Sequence, residues 1–525
     1  MIDTTRREIG FWEPLIAFLF TLCYAAILAV NLIFHGLKYS RRKTFLLENW
    51  QLLIVGAVLL VILSFLLIRF SDTGEDPVNI RKNTRLLVIL SLILFLAQLT
   101  VFYFGFFVTD WDAGGKVLTN SIRLSNHAAD QLDNMYYSHY PNNIFLTWVF
   151  AMIIRAGHWV GIESRMQVAY LLTVVQCVLN ILTGMVLFRT IRMQTRSYAA
   201  SWLGWIFYVL LLGTSCWSMI PYSDGMILIV PILMVRLYQM MDNGKFLFLK
   251  WAGISLLAYW GYHIKPQAFI LFIAIVIISV LRRICLNEEK KKKILLSAGG
   301  IFLTALVFAG SEFGYRMLAA STEFDLNPEE RLGMAHFFMM GLNPSSHGVW
   351  AEEDVDFSED IHSNAERDAA DLQRAMDRLT GYNVSTFTEH LLKKTLINFN
   401  DGSFCWGGEG KFFNEISNEK DRFISPLIRS IIYTRSVEGK YYIVYLTVEQ
   451  TAWLTLLLLS LTAFLTRKDR TTLAVILAIL GLTAFETIFE ARARYLYLFV
   501  PLYIFLACTG WDAVCRKILR KGNAE

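Results

Sequence analysis

Residues 86–107 read LLVILSLILFLAQLTVFYFGFF, and residues 108–116 continue as VTDWDAGGK. The first stretch contains no charged side chain, and an α-helix needs about 20 such residues to cross the roughly 30 Å hydrocarbon core of a bilayer. The second stretch places Asp110 and Asp112 directly after that run. Together they predict a membrane-spanning helix followed by a polar turn whose ionisable groups lie at the membrane boundary.

The composition extends this pattern to the whole chain. Of 525 residues, 55% are hydrophobic and 18% are charged, whereas soluble domains carry about 25% charged residues. This balance excludes a disordered chain, a coiled coil and an ordinary soluble globule. Further apolar runs predict helices at 14–34, 50–68, 166–188, 199–217, 225–241, 246–264, 267–281, 294–315, 441–465, 471–488 and 495–515. We therefore predict an all-α polytopic membrane protein with about 12 transmembrane helices.

A thirteenth apolar stretch, 143–160, is shorter and contains Arg155 and His158. It predicts either a re-entrant or interfacial helix or a true span. The spans divide the chain into four parts, which are an N-terminal helical hairpin 1–85, a membrane core 86–315 with a first external loop 108–142, an external domain 316–440 and a C-terminal three-helix membrane segment 441–525.

The distribution of Lys and Arg predicts the orientation in the cell membrane. With a cytoplasmic N-terminus, the cytoplasmic segments hold about twice as many Lys and Arg as the short segments on the other side. The loop 108–142, the turns 218–224 and 489–494 and the segment 316–440 then all face the extracytoplasmic side. We therefore attribute the basic residues behind the net charge of +5 to the orientation of the chain in the membrane and to contact with lipid head groups. We expect no nucleic-acid partner.

The segment 316–440 has an excess of acidic residues and helical patterning. Ser363 with Glu366, and Thr386 with Glu389, match the capping box that marks a helix start. Glycine-rich turns separate the helical stretches. We predict a small, mostly helical external domain that covers the mouth of the membrane bundle.

Carboxylates stand at the predicted outer ends of spans. Asp110 and Asp112 follow one span, and Asp224 is the only charge in the turn between two others. A partly desolvated carboxylate can activate a hydroxyl group as a general base. The simpler alternative for an aspartate here is a solvated loop at the membrane interface.

Cationic groups stand at the same predicted level. Lys265 follows a span, and Arg492 and Arg494 precede the last one. Two guanidinium groups can bind a phosphate bidentately. The alternatives are a lysine that snorkels to the surface and an ion pair between Glu490 and Arg494 at helical i, i+4 spacing.

Aromatic and histidine side chains accompany these charges. Tyr137, His139 and Tyr140 occur in the first external loop, and His263 lies two residues before Lys265. Such groups could line a sugar site, because sugars stack on aromatic faces and need many hydrogen bonds. They could equally belong to the aromatic belt at the membrane interface.

In the order of these parts the sequence resembles the GT-C superfamily of glycosyltransferases, which includes protein O-mannosyltransferases, aminoarabinose transferases and oligosaccharyltransferase catalytic subunits. The resemblance covers residues 86–241 and marks 86–315 as a GT-C-like catalytic core. The parts that carry it are Asp110 after an early span, the element Tyr140-Pro141-Asn142-Asn143, the basic turn with Arg189, Arg192 and Arg196, and the acidic turn Tyr222-Ser223-Asp224. The ending Glu490-Ala-Arg492-Ala-Arg494-Tyr495 resembles that of bacterial cell-envelope members.

The resemblance implies roles for these residues. Asp110 would be the catalytic base, with Asp112 as second choice, and Asp224 would be the acidic-turn residue. Lys265, Arg492 and Arg494 would lie near the lipid phosphate, with Arg494 the first choice. The donor would be a polyprenyl-phosphate sugar, and the acceptor would be a hydroxyl on a glycan, a teichoic-acid-like polymer or a lipid. A single inverting displacement is implied, with no cofactor, and a divalent metal is not expected.

Other classes of membrane protein remain open at this stage. A flippase or transporter for a lipid-linked glycan would also need cations and a cavity, but its charges would be expected nearer the middle of the membrane. An O-antigen ligase or polymerase would use related substrates and a late external loop. The transferase interpretation predicts that Asp110, Asp224 and Arg494 face one cavity that opens outward.

Overall fold

The computed structural model describes residues 11–34, 45–70, 76–105, 112–241, 246–285, 290–408, 422–434, 439–467 and 469–522. Within these ranges all regular elements are helical and none is a strand. Ten helices there are long and apolar enough to cross a membrane, namely Trp12–Ile33, Asn49–Arg69, Pro77–Gly105, Arg165–Thr195, Ser223–Met240, Pro266–Arg283, Ala298–Ala320, Tyr442–Thr466, Arg470–Ile488 and Ala493–Ile518.

The α-helices are numbered in chain order. The first thirteen are α1 Trp12–Ile33, α2 Asn49–Phe70, α3 Pro77–Gly105, α4 Thr119–Ser125, α5 Asn134–His139, α6 Ile144–His158, α7 Arg165–Thr195, α8 Tyr198–Tyr208, α9 Ser223–Met226, α10 Ile229–Met240, α11 Leu247–Ile264, α12 Phe269–Cys285 and α13 Lys290–Ala320. The remaining eight are α14 Met334–Gly341, α15 Glu352–Glu359, α16 Asn364–Gly381, α17 Val384–Phe399, α18 Ile424–Ile432, α19 Tyr442–Ser460, α20 Arg470–Ile488 and α21 Val500–Gly522. Short π-helical and 3₁₀ turns join several of them, including Asp112–Leu118, Cys216–Met219 and Ala493–Phe499.

The twelve predicted spans all correspond to helices, but two of them differ from the ten candidate spans. The run 199–217 forms α8 and a π-helical turn that ends at Gly213, so its apolar helix is shorter than a typical span. The run 246–264 is α11, which has the predicted length but includes Lys250 and several aromatic and polar residues. The stretch 143–160 contains α6, a helix of 15 residues.

The bundle is organised around its last helix. In α21, residues 500 and 502–508 are all apolar or aromatic, and none of them has exposed surface. Helices α7, α8, α19 and α20 pack against α21, whereas α2 and α13 bury little of their apolar surface within the molecule. A helix that is apolar on all sides lies in a core or faces lipid, and both kinds occur here.

The segment 316–440 is helical in its described part, as the sequence predicts, but neither predicted capping box forms. Helix α16 begins after Ser363, whose side chain makes no capping hydrogen bond. The second helix, α17, begins earlier than Thr386. Its cap is Asn383, whose side chain accepts a hydrogen bond from the Thr386 N–H. In return, the Asn383 N–H donates to the Thr386 hydroxyl oxygen. Asparagine is a stronger N-cap than threonine, which accounts for the shift.

The polar segment, as we name residues 316–440, packs over the end of α20. Gly341 lies so close that an added Cβ would be 2.4 Å from the Ile488 carbonyl oxygen. The ammonium group of Lys394 donates to the carbonyl oxygens of Gly341 and Phe489 at 2.8 and 2.6 Å. The N–H of Ala491 donates to the Gly348 carbonyl at 2.7 Å. The turn that follows α20 is therefore held by the polar segment.

Candidate functional site

The acidic turn that carries Asp224 is held in place from within the bundle. Gln176, in the middle of α7, donates through its amide to the carbonyl oxygens of Trp217, Ser218 and Ile220 at 2.6–3.0 Å and accepts from the Tyr222 N–H at 3.2 Å. Gly225 packs directly against this amide, since a Cβ there would lie 2.3 Å from the Gln176 side chain. The buried amide thus fixes the backbone on which Asp224 sits.

Asp224 is the centre of a buried ion cluster. Its Oδ1 atom forms an ion pair with the Lys265 ammonium, and its Oδ2 atom lies 3.8 Å from the Arg494 Nη1 atom. The three residues are only 2%, 5% and 4% exposed. Charges buried to this degree are stable only when they are paired. The interpretation of Lys265 as a snorkelling surface lysine is therefore wrong.

Lys265 reaches this position because of the proline that follows it. The residue before a proline is driven from helical to extended backbone, and Lys265 has φ −150° and ψ 106° at the end of α11. Its side chain then lies over the ring of Tyr495, with the ammonium 5.0 Å from the ring centroid. The cation is thus shared between a carboxylate and an aromatic face.

Glu490 and Arg492 form a second ion pair beside the first. The Glu490 Oε1 atom is 3.0 Å from Arg492 Nη2, and the Tyr495 hydroxyl donates to Glu490 Oε2 at 2.6 Å. The proposed helical i, i+4 pairing of Glu490 with Arg494 is wrong in its geometry. Helix α20 ends at Ile488, and Phe489 and Arg492 have extended backbone, so the two side chains do not share a helical face.

The cluster has an aromatic floor. The guanidinium of Arg494 lies 5.4 Å from the ring centroid of Trp217 and 5.5 Å from that of Tyr222. The Trp217 indole N–H donates to the carbonyl oxygens of Ser403 and Phe404, at 3.2 and 3.0 Å. The polar segment therefore contributes to the floor through the turn 401–408.

Asp112 faces the same group of charges from the first loop. Burial raises the pKa of its carboxyl, and the positive charges of Arg494 and Arg492 and a hydrogen bond from the Tyr136 hydroxyl oppose that rise. The Asn143 amide donates to the Tyr136 hydroxyl at 2.7 Å, which leaves the hydroxyl hydrogen for Asp112. Asp112 is a partly buried carboxylate with cations and a tyrosine around it.

Tyr140 also belongs to this group. Its side chain is partly exposed, its ring centroid is 5.3 Å from that of Tyr136, and its hydroxyl is within the electrostatic reach of Asp112, Glu490 and Arg492. Burial raises the pKa of Tyr140, so its hydroxyl stays protonated and can donate a hydrogen bond at neutral pH.

Three of the predicted site residues lie elsewhere. Tyr137 has no exposed surface and shares a 2.5 Å hydrogen bond with Thr147, so it packs the loop internally. The His139 ring pairs instead with carboxylates of the polar segment, Glu359 at 3.1 Å and Glu330 at 3.8 Å. A histidine that faces acidic partners from another segment ties the two parts together.

His263 is the third, and it stacks in an aromatic group between α11 and α13. Its ring centroid is 3.9 Å from that of Tyr315 and 4.7 Å from that of Tyr259. These contacts are separate from the ion pairs of Asp224. The first choice for the catalytic base, Asp110, lies in 106–111, outside the described residues.

The sequence motifs assigned no site role to the supporting polar groups. Tyr136, Asn143, Gln176, Tyr222 and Tyr495 all contact the charges or hold the turns that carry them. Gln176 had a usable signal, since an amide in the middle of an apolar span is costly unless it has partners. For the tyrosines no spacing distinguishes these positions from an interfacial belt. Among the described residues no group of three or more His, Cys, Asp or Glu side chains is arranged to hold a metal ion.

The helical bundle and its apolar helices define an integral membrane protein of the multi-pass, all-α class, which confirms the predicted fold class and a multi-pass membrane location. Within that class the chain belongs to the family described as conserved hypothetical integral membrane protein, whose model matches residues 10–515. None of the curated proteins compared with the chain matches it.

Proposed function

We propose that the protein is a glycosyltransferase that moves a sugar from a polyprenyl-phosphate donor to a hydroxyl group of a glycan, a teichoic-acid-like polymer or a lipid. The proposal rests on one observation. The partly buried carboxylate of Asp112 and the cations Arg492 and Arg494 occupy one site at the ends of membrane helices. A hydroxyl acceptor needs a base, and an anionic leaving group needs cations.

The two aspartates of the cluster have different roles in this proposal. Asp224 has an oxygen on Lys265 and an oxygen toward Arg494, so it holds the cations in position. Asp112 is partly exposed, and burial raises the pKa of its carboxyl, which strengthens it as a base. Asp112, or Asp110 two residues earlier, accepts the proton of the acceptor hydroxyl.

The cations differ in how far they can reach a substrate. The side chain of Arg492 is 17% exposed, whereas those of Arg494 and Lys265 are 5% and 6% exposed. We assign the direct contact with the donor phosphate to Arg492, with Arg494 supplying positive potential from behind. Glu490 and Tyr495 orient the Arg492 guanidinium.

The reaction is a single displacement at the anomeric carbon. The acceptor oxygen forms the new bond as the bond from the anomeric carbon to the phosphate oxygen breaks, and the acceptor proton passes to the aspartate. The bonding electrons leave with the polyprenyl phosphate, whose charge is stabilised by Arg492 and Arg494. Fixed charges in a site shielded from bulk water are the largest contribution a protein can make to such a step. The distribution of Lys and Arg supports a site on the extracytoplasmic side of the cell membrane.

The test is a transfer assay on membranes that contain the full-length protein. A panel of radiolabelled polyprenyl-phosphate sugars is supplied, and label in the aqueous glycan, polymer and lipid fractions is followed. We expect transfer from one donor to be reduced at least about 100-fold in Asp112→Asn or in Asp110→Asn. The matched control is Asp130→Asn, which changes an exposed aspartate of the same loop and should leave transfer intact.

The assay also separates the other classes. A flippase would move the labelled lipid between leaflets without breaking its bond to the sugar. An O-antigen ligase or polymerase would transfer a preassembled glycan from a diphosphate donor. Either result, or full transfer activity in both aspartate variants, would refute the proposal.

A further inference from the structure

A cavity lies apart from the ion cluster, between α1, α17 and α20. Its volume is about 200 Å³. One wall is apolar, with Ile27 and Val30 near the end of α1, and the other is polar, with Thr395 and Asn398 of α17 and Thr487 of α20. Pockets for drug-sized ligands usually measure about 300–1,000 Å³, so this cavity suits one small group instead of a whole lipid.

The polar wall contains an unsatisfied hydrogen-bonding group. Asn398 is 2% exposed, and its Oδ1 atom has no hydrogen-bond partner within the protein. A buried amide oxygen without a partner costs about 1–3 kcal/mol. The hydroxyl hydrogens of Thr395 and Thr487 are already donated to the carbonyl oxygens of Leu391 and Thr483, at 2.9 and 2.7 Å. The wall therefore offers acceptor oxygens, which a ligand with O–H or N–H donors would satisfy, beside the N–H donors of the Asn398 amide.

The charge of the ligand follows from the lining. No side chain around the described cavity is ionisable as a cation or carboxylate. The nearest lysine along α17, Lys394, has its ammonium on the carbonyl oxygens of Gly341 and Phe489. A phosphate or carboxylate placed here would be desolvated without a counter-ion, which is strongly unfavourable. The ligand group is uncharged.

The position of the cavity indicates where the ligand comes from. Ala26 and Thr487 at its edge are exposed, and so are the apolar side chains of Phe18, Leu22 and Ile33 along α1. These side chains belong to a helix long and apolar enough to span a membrane, whereas α17 belongs to the polar segment, so the opening lies where the hydrocarbon of the bilayer meets its head groups. A lipid can enter sideways with its head group in the cavity and its chains along α1.

We propose that this cavity binds the hydroxyl-bearing head group of a neutral lipid, such as a diacylglycerol. The proposal rests on the cavity and on Asn398, and it does not depend on glycosyl transfer. The cavity lining includes none of the residues of the ion cluster, so the lipid would occupy a second site.

The experiment measures lipid binding to the purified full-length protein by native mass spectrometry. The probes are dioctanoylglycerol, which has a free hydroxyl, trioctanoylglycerol, which has none, and dioctanoyl phosphatidic acid, which is anionic. We expect dioctanoylglycerol to bind at least about fivefold more tightly than either of the others, as the loss of one hydrogen bond implies.

Two variants test the polar wall. Thr487→Val should weaken dioctanoylglycerol binding about fivefold, and Asn398→Leu about tenfold. The matched control is Thr388→Val, because Thr388 is also exposed, also donates to the carbonyl four residues earlier at 2.7 Å, and lies on α17 outside the cavity lining. If Asn398→Leu does not fold, the comparison of Thr487→Val with Thr388→Val still tests the proposal.

Cys23 provides an internal readout, because its thiol lines the cavity. Dioctanoylglycerol should slow alkylation of Cys23 by a hydrophobic maleimide, with the modified peptide identified by mass spectrometry. Equal affinity for the three lipids, preference for phosphatidic acid, or equal effects of Thr487→Val and Thr388→Val would overturn the proposal. Unchanged lipid binding in Asp112→Asn is expected, and it separates this result from the fate of the transferase proposal.

Discussion

Replacing Asp224 with asparagine removes a buried carboxylate that faces both Lys265 and Arg494. All three residues are at least 95% buried, and the substitution keeps the volume while it deletes the negative charge. Breaking a buried ion pair by removing one partner costs about 3–5 kcal/mol, because the remaining charge is left without compensation. We expect a loss within this range for Asp224→Asn.

The measurement is unfolding of the purified protein in mixed micelles, followed by tryptophan fluorescence or circular dichroism. A double-mutant cycle gives the interaction itself. Lys265→Met removes the nearest cation, so the double variant should be more stable than the sum of the single effects predicts, by at least about 1.5 kcal/mol. The control cycle uses Glu389→Gln and Lys393→Met, an i, i+4 pair with Glu389 largely exposed, where the coupling should be much smaller.

A desolvated ion cluster is refuted if the free energy of unfolding of Asp224→Asn is within about 1 kcal/mol of that of the parent, or if the two substitutions in the cluster are additive. Either result would mean that water reaches these charges and that they do not form one desolvated group. A large loss of stability without coupling to Lys265 would instead show that Asp224 stabilises the turn in which it lies.

Other predictions concern the donor, the polar segment and the acidic turn. Arg492→Ala should raise the KM for the polyprenyl-phosphate donor about tenfold or more, whereas Arg492→Lys should recover part of the loss; no change in KM would remove Arg492 from the phosphate site. Burial lowers the pKa of His336 and of His390 from the ordinary value of 6.5 to about 4. As the pH falls from 6.5 to 4 the unfolded chain binds these protons before the folded protein does. The free energy of unfolding, which is highest above pH 6.5, should therefore fall by up to about 3 kcal/mol for each histidine. Proteolysis of the polar segment between pH 7 and 4 measures this, and His336→Gln should flatten the profile; a profile unchanged by the variant contradicts it. Gly225→Ala should destabilise the protein by about 1–3 kcal/mol in the same unfolding assay because its Cβ meets the Gln176 amide, and a neutral effect would show that the turn can move.

The spans could be predicted because membrane crossing demands a long apolar run and little else. The run 471–488 became Arg470–Ile488, with its start shifted by one residue. The prediction failed where local backbone geometry decides the outcome. The run 199–217 breaks into a π-helical turn and then a 3₁₀ turn, and hydropathy carries no information about that break.

The ion cluster was accessible to sequence reasoning for a topological reason. Turns separated by an even number of crossings lie on the same side of the membrane, so charges at those turns can meet although they are far apart along the chain. Asp224, Lys265 and Arg494 do meet in this way. The partners of His139 and His263 were not accessible, because they depend on how the polar segment and α13 pack, and a histidine has no spacing rule that names its neighbour.

The arrangement of the cluster also explains why an enzyme of the proposed kind would keep two aspartates with separate roles. A single carboxylate cannot both neutralise buried cations and accept a proton, because the cations that bind it also make it a weaker base. Asp224 is engaged by Lys265 and Arg494, and Asp112 is left with a tyrosine hydrogen bond and longer-range positive charge. In the proposed reaction the first aspartate would keep the positive charge in place for a phosphate, and the second would stay basic enough to take a proton. In Asp112→Glu the carboxylate is kept but displaced by one methylene, so we expect residual transfer well above that of Asp112→Asn. Equal loss in the two variants would assign Asp112 a structural role.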